Sequence, residues 1–89
     1  MNNQEIDALG RKIADAAMRE FARLCPEACQ ADDRQLEQAL DAIRTEVDPA
    51  IDELMRDVES APHAANYAFA NTVLRLATTG VKAFKAAAH

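Results

Sequence analysis

The chain has no tryptophan, only two glycines and three prolines, and few aromatic residues. A β-sheet protein needs turn residues and β-branched or aromatic strands, so this composition argues against a sheet and favours an all-α protein. Much of the 49% hydrophobic content is alanine, which removes little apolar area from water per residue. The core is therefore expected to be thin, and self-association would help to stabilise the fold.

No long apolar run is present either. The first twenty residues are interrupted by Glu5, Asp7, Asp15 and Glu20, which excludes the apolar centre of a signal peptide there. No stretch approaches the ~18 apolar residues that a membrane-spanning helix requires. We therefore expect a soluble, cytoplasmic protein that forms a single domain over residues 1–89.

Acidic residues are absent after Glu59, whereas Arg75, Lys82 and Lys85 follow it. Residues 27–59 contain eleven acidic residues and three arginines, a net charge of −8. The whole chain carries −5, which opposes direct binding to nucleic acid or to anionic lipid. A basic protein is the charged partner that this distribution favours.

Apolar residues recur every three or four positions, which predicts three helices near residues 2–25, 32–59 and 61–87. Asn2, with Glu5 three residues later, forms the pattern of a capping box, and Asp32 begins the second helix in the same way. Pro26 ends the first helix, and Pro62 lies in the first turn of the third, with Ser60 or Ala61 as its cap.

Pro49 lies in the middle of the second helix. A proline there removes one backbone hydrogen bond and clashes with the carbonyl of Thr45. The apolar stripe keeps its phase on both sides of Pro49, which favours a kinked continuous helix. The alternative is a break, with Asp48 capping a new helix. Short connections place consecutive helices antiparallel, so the predicted fold is a small antiparallel three-helix bundle.

The third helix has an apolar face of about 160°, wider than the ~100° stripe of an ordinary surface helix. This surplus predicts an additional partner, and we expect a second copy of the chain. The residues assigned to this apolar interface are Phe69, Val73, Leu74, Leu76, Ala77, Val81 and Phe84.

Acidic side chains on the second helix project within about 60° of one another. Each pair of like charges four residues apart costs roughly 0.2–0.5 kcal/mol in a helix, so local helix stability does not explain these acidic residues. One interpretation is a solvated face that keeps a small protein soluble. The other is a docking surface for a basic protein, formed by Glu37, Asp41, Asp48, Asp52 and Glu59.

Cys25 and Cys29 are the remaining candidates for chemistry. With His63 and His89 they would supply four zinc donors, but the histidines are too far apart for a paired ligand motif. We expect reduced cysteines at a helix end, with no metal and no cofactor. The alternative is a disulfide between them, which requires the Pro26 turn to bring their Cα atoms to about 6 Å. No nucleophile has a base placed with it in a readable motif, so we expect no enzymatic activity.

Gly10 and Gly80 both fall on apolar helix faces. A glycine inside a helix costs about 1 kcal/mol relative to alanine, and a close approach between helices would compensate for it. The alternative is a flexible point in each helix.

The sequence therefore predicts a non-catalytic protein–protein interaction module, a homodimeric bundle with an acidic outer face. The alternative is a small acidic inhibitor or decoy that binds the basic surface of a nucleic-acid-handling protein, as small phage-type regulators do.

Overall fold

The structure, a computed structural model, describes residues 2–88. Its three α-helices, which pack against one another, are α1 (Asn3–Leu24), α2 (Asp33–Ser60) and α3 (Ala65–Ala87). A 3₁₀ turn at Pro26–Gln30 joins α1 to α2, and another at Pro62–Ala64 joins α2 to α3. The prediction of an all-α fold with three helices is confirmed.

The starts of α1 and α2 are set by side-chain caps. The backbone N–H of Glu5 donates to Asn2 Oδ1 at 2.9 Å. The backbone N–H of Gln35 donates to Asp32 Oδ1, also at 2.9 Å. Each bond satisfies one of the N–H groups that has no partner in the first turn of a helix. The N-cap bonds predicted at Asn2 and Asp32 are therefore confirmed, and α1 and α2 begin within one residue of the predicted positions.

The first two prolines have different effects. Pro26 follows α1, which ends at Leu24 because the residue before a proline avoids helical geometry. Pro49, in contrast, lies inside α2, which continues through it without a break. Both Pro49 and Thr45 are exposed, so water can hydrate the Thr45 carbonyl that loses its helical partner. The prediction of one continuous helix is confirmed.

The start of α3 differs from the prediction by four residues. Pro62 opens a 3₁₀ turn rather than the α-helix itself, and the N–H of Ala64 donates to the carbonyl of Ala61 at 2.9 Å. The helix then begins at Ala65 without a side-chain cap. Ala64 occupies the cap position, and its side chain has no oxygen that could accept a hydrogen bond.

The core contains residues from all three helices. Ile13 and Ile43 are completely buried, and the rings of Phe21 and Phe84 meet edge to face at 6.1 Å between centroids. The only buried polar side chain within residues 2–88 is Thr72, whose hydroxyl donates to the Ala68 carbonyl at 2.9 Å. The interior is therefore apolar, with its one hydroxyl satisfied.

Gly80 allows α3 to approach both neighbouring helices. A Cβ atom at this position would lie 2.7 Å from Ile43 Cδ1 of α2 and 3.2 Å from Phe21 Cδ1 of α1. At Gly10 the packing is looser, since a Cβ would lie 3.3 Å from Ile51 Cδ1. Close packing at Gly80 is confirmed as the reason for a glycine inside this helix.

Candidate functional site

The apolar residues predicted on α3 divide between the core and the surface. Leu76, Ala77 and Phe84 are buried within the chain, because α3 packs against both α1 and α2. Phe69, Val73 and Val81 are half-buried, and Leu74 is exposed. The part of this face that a partner could reach is thus narrower than periodicity alone indicated.

A line of apolar side chains nevertheless faces outward along α3. Tyr67 is 71% exposed and Leu74 is 47% exposed. Ala70 lies exposed between them, and Val81, which is half-buried and also packs against the core, follows two turns after Leu74. Spacings of three, four and seven residues keep these positions on one side of the helix. We call Tyr67, Ala70, Leu74 and Val81 the α3 seam.

An ion pair flanks the α3 seam. Arg75 donates from Nη2 to Glu53 Oε2 at 2.6 Å, which joins α3 to α2. This hydrogen bond, together with the positive charge of Arg75, lowers the pKa of Glu53. The pair therefore stabilises the fold above the ordinary pKa of a glutamate, and its contribution is lost as the pH falls through the lowered value. Both side chains are partly exposed, so the contribution is small.

The five acidic side chains predicted on one side of α2 are all exposed. We call Glu37, Asp41, Asp48, Asp52 and Glu59 the acidic stripe. Asp41 accepts a hydrogen bond from Arg44 at 3.0 Å. Within residues 2–88, the other four carboxylates have no basic side chain within ion-pairing distance. Most of the charge on this surface therefore faces solvent.

A groove lies where the three helices meet, beside the α2–α3 connection, and sequence reasoning did not find it. It has a volume of about 560 Å³. Its wall is mainly apolar and is formed by Leu9, Lys12, Leu54, Met55, Val58, Glu59, Ala65, Asn66 and Phe69. These residues come from three different helices, so no single helical pattern marks them. The nearest signal is Met55, an apolar residue that lies off the buried stripe of α2 and is 37% exposed.

The groove carries a fixed positive charge. Lys12 Nζ of α1 lies 5.4 Å from the centroid of the Phe69 ring on α3. A cation over an aromatic face is attracted by the negative charge density of the ring, which orders an otherwise flexible lysine side chain. The groove therefore combines an apolar wall with one positioned ammonium group.

The two cysteines lie in different environments. Cys25 is buried at the end of α1, and burial raises the pKa of its thiol, as does the nearby Glu27 carboxylate. Cys29 is exposed, and both thiols are free. His63 lies in the 3₁₀ turn before α3, and His89 lies outside the described residues. Over residues 2–88, no three His, Cys, Asp or Glu side chains are grouped in a way that could hold a metal ion.

None of the helices described in residues 2–88 combines the length and the apolar character that crossing a membrane requires. Comparisons of the chain with protein-family models, with curated proteins and with solved structures give no match. Three features of the surface could take part in binding: the α3 seam, the acidic stripe and the groove.

Proposed function

We propose that this protein is a non-catalytic interaction module that pairs with a second copy of itself through the α3 seam. The observation that carries the proposal is the exposure of Leu74 and Tyr67 on one line of a helix whose other side is packed in the core. A large apolar side chain in water gains about 1.5–3 kcal/mol when it is fully buried, which a second copy would supply.

The total surface supports the same proposal. The chain, of 9.7 kDa, exposes 5940 Å² of accessible surface. A compact monomer of this mass is expected to expose roughly 5,100 Å². Part of the difference follows from the elongated shape of the bundle, and an interface of standard size takes ~800 Å² from each partner. An elongated bundle, 40 by 23 by 17 Å, has the side surface on which such an interface could form.

We further propose that consecutive helices run antiparallel within each copy. Three contacts between α2 and α3 support this arrangement for that pair. Gln35 donates to the Phe84 carbonyl, Ile43 contacts Gly80, and Glu53 pairs with Arg75. The α2 numbers rise as the α3 numbers fall, the order of an antiparallel pair. The α3 seam would then extend along one side of the bundle.

The causes of the shifted pKa values support a binding role without catalysis. Glu20 and Arg23 form a surface ion pair, as do Glu53 and Arg75, and these pairs account for the shifted pKa values of all four groups. The raised pKa of the Cys25 thiol follows from its burial and makes the thiol less nucleophilic. Two free thiols also suit a reducing compartment, in line with the cytoplasmic location that we propose.

Leu74→Glu tests the pairing surface. Each copy would place an unpaired carboxylate in the apolar interface, so the dimer dissociation constant is expected to rise at least about a hundredfold. The measurement is light scattering over a dilution series, with circular dichroism to confirm that the helices are kept. Met55→Glu is the matched control, since Met55 is exposed to a similar degree on a different helix and lies outside the α3 seam. Dimers that survive Leu74→Glu unchanged would exclude the seam as the interface.

A second function is favoured by the acidic stripe. Four of its five carboxylates are unpaired within residues 2–88, so they could meet the basic surface of a nucleic-acid-handling protein, as an inhibitor or decoy would. Binding of this kind should weaken steeply with salt. The variant Asp48→Asn with Asp52→Asn should weaken it further, as measured by pull-down from the native host. If added salt and the double variant both leave the capture of a partner intact, while Leu74→Glu abolishes it, then the α3 seam is the binding surface instead.

A further inference from the structure

The groove beside the α2–α3 connection is large enough to hold a small ligand. Its volume of about 560 Å³ falls in the range of roughly 300–1,000 Å³ that is usual for small-molecule sites. Six of the nine lining residues are apolar: Leu9, Leu54, Met55, Val58, Ala65 and Phe69. The groove is separate from the α3 seam, with which it shares no residue.

The polar groups of the groove are distributed unevenly. Lys12 lies over the Phe69 ring, so its ammonium group is held on the side of the groove that α1 and α3 form. Asn66 lies one helical turn before Phe69 on α3, and its amide can also donate a hydrogen bond. Glu59, the one acid of the lining, belongs to α2. An anionic group is therefore favoured beside Lys12 and disfavoured on the α2 side.

We propose that this groove binds a linear amphiphile with an anionic head, such as a fatty acid of medium chain length. The carboxylate accepts hydrogen bonds from Lys12 and is placed within reach of the Asn66 amide. The acyl chain covers Met55 and the apolar wall around it, which removes that surface from water. The groove beside the α2–α3 connection would thus be a binding site. Binding there does not depend on whether the chain forms a dimer.

Titration with dodecanoate below its micelle concentration tests the proposal, by calorimetry and by amide shifts in two-dimensional NMR. We expect saturable binding, with the largest shifts in residues that line the groove. Lys12→Gln should weaken binding about tenfold, the effect of losing one charge-assisted hydrogen bond. Arg19→Gln removes the same charge from the same helix, outside the groove lining, and should leave binding unchanged.

Two further probes, dodecanol and dodecyltrimethylammonium, separate recognition of the head from recognition of the chain. If both bind more weakly than dodecanoate, recognition of the anionic head is supported. If all three probes bind equally, that recognition is overturned. Absence of saturable dodecanoate binding, or shifts concentrated at Leu74 and Tyr67, also overturns the proposal. Met55→Glu should abolish amphiphile binding and keep the dimer. Leu74→Glu should dissociate the dimer and keep amphiphile binding. The two variants together distinguish failure of this site from failure of the proposed dimer.

Discussion

Replacing Phe84 by alanine is expected to lower the free energy of unfolding by about 3–5 kcal/mol. The Phe84 ring is 4% exposed and meets the edge of Phe21, so the substitution leaves a cavity between α1 and α3 and removes an aromatic contact. A domain of this size has a total stability of roughly 5–10 kcal/mol, so a considerable part of the fold's stability is lost. Urea denaturation, followed by circular dichroism, measures the change.

Tyr67→Ala is the matched control for Phe84→Ala. Tyr67 is an aromatic residue on the same helix but is 71% exposed. At a dilution at which the chain is monomeric, its replacement should change the free energy of unfolding by no more than about 0.5 kcal/mol. If Phe84→Ala were as mild as Tyr67→Ala and instead dissociated the dimer, then Phe84 would belong to the interface and the assignment of the core would be incorrect.

Gly80→Ala is expected to destabilise the protein by about 1–2 kcal/mol, although alanine is the better helix former. The new Cβ would lie 2.7 Å from Ile43 Cδ1 and 3.0 Å from Ile43 Cγ1. Ile43 is completely buried and cannot move aside freely. Gly10→Ala, in contrast, should be neutral or stabilise by up to about 1 kcal/mol, because Ile51 Cδ1 is 3.3 Å away and borders an open surface depression.

A double-mutant cycle identifies the cause of the Gly80→Ala effect. Ile43→Val removes the Cδ1 atom, and alone it should cost about 0.5–1.5 kcal/mol. In the Gly80→Ala background the same change relieves the closest contact, the one with Cδ1, so its cost should shrink or change sign. The free energies of unfolding of the four proteins provide the comparison. Stabilisation by Gly80→Ala equal to that by Gly10→Ala would show that α2 and α3 are not in close contact there.

Features that depend on nearby residues were predictable from the sequence. The caps at Asn2 and Asp32 each need one side chain and a backbone N–H three residues later. The continuity of α2 through Pro49 followed from the phase of its apolar stripe. The start of α3 was placed too early, because a proline suits the first turn of a 3₁₀ helix as well as that of an α-helix, and the sequence does not distinguish them.

Features that depend on the packing of all three helices were less predictable. The wide apolar face of α3 was interpreted as surplus, but Leu76 and Ala77 are needed because α3 contacts two neighbours at once. Only the part of this apolar face around Leu74 is exposed enough to contact a partner. The groove could not be predicted, because Lys12, Met55 and Phe69 come from different helices and meet only once the helices pack.

The charge asymmetry of the sequence separates into distinct surfaces in the fold. The acidic stripe lies on α2 and is exposed along its length. The α3 seam is apolar, and the helix that carries it contains no acidic residue. A dimer joined through the seam would therefore keep the acidic stripes free for solvent or for a basic partner, so the two proposed interactions could coexist.

Sedimentation equilibrium of the unmodified chain over a dilution series tests the proposed dimer most directly. We expect a single reversible transition, in which the mass falls from twice the 9.7 kDa of one chain to that value. Because the α3 seam is apolar and each copy carries a net charge of −5, added salt should not weaken the dimer. A monomer at every concentration, with a free energy of unfolding that does not decrease on dilution, would contradict the account.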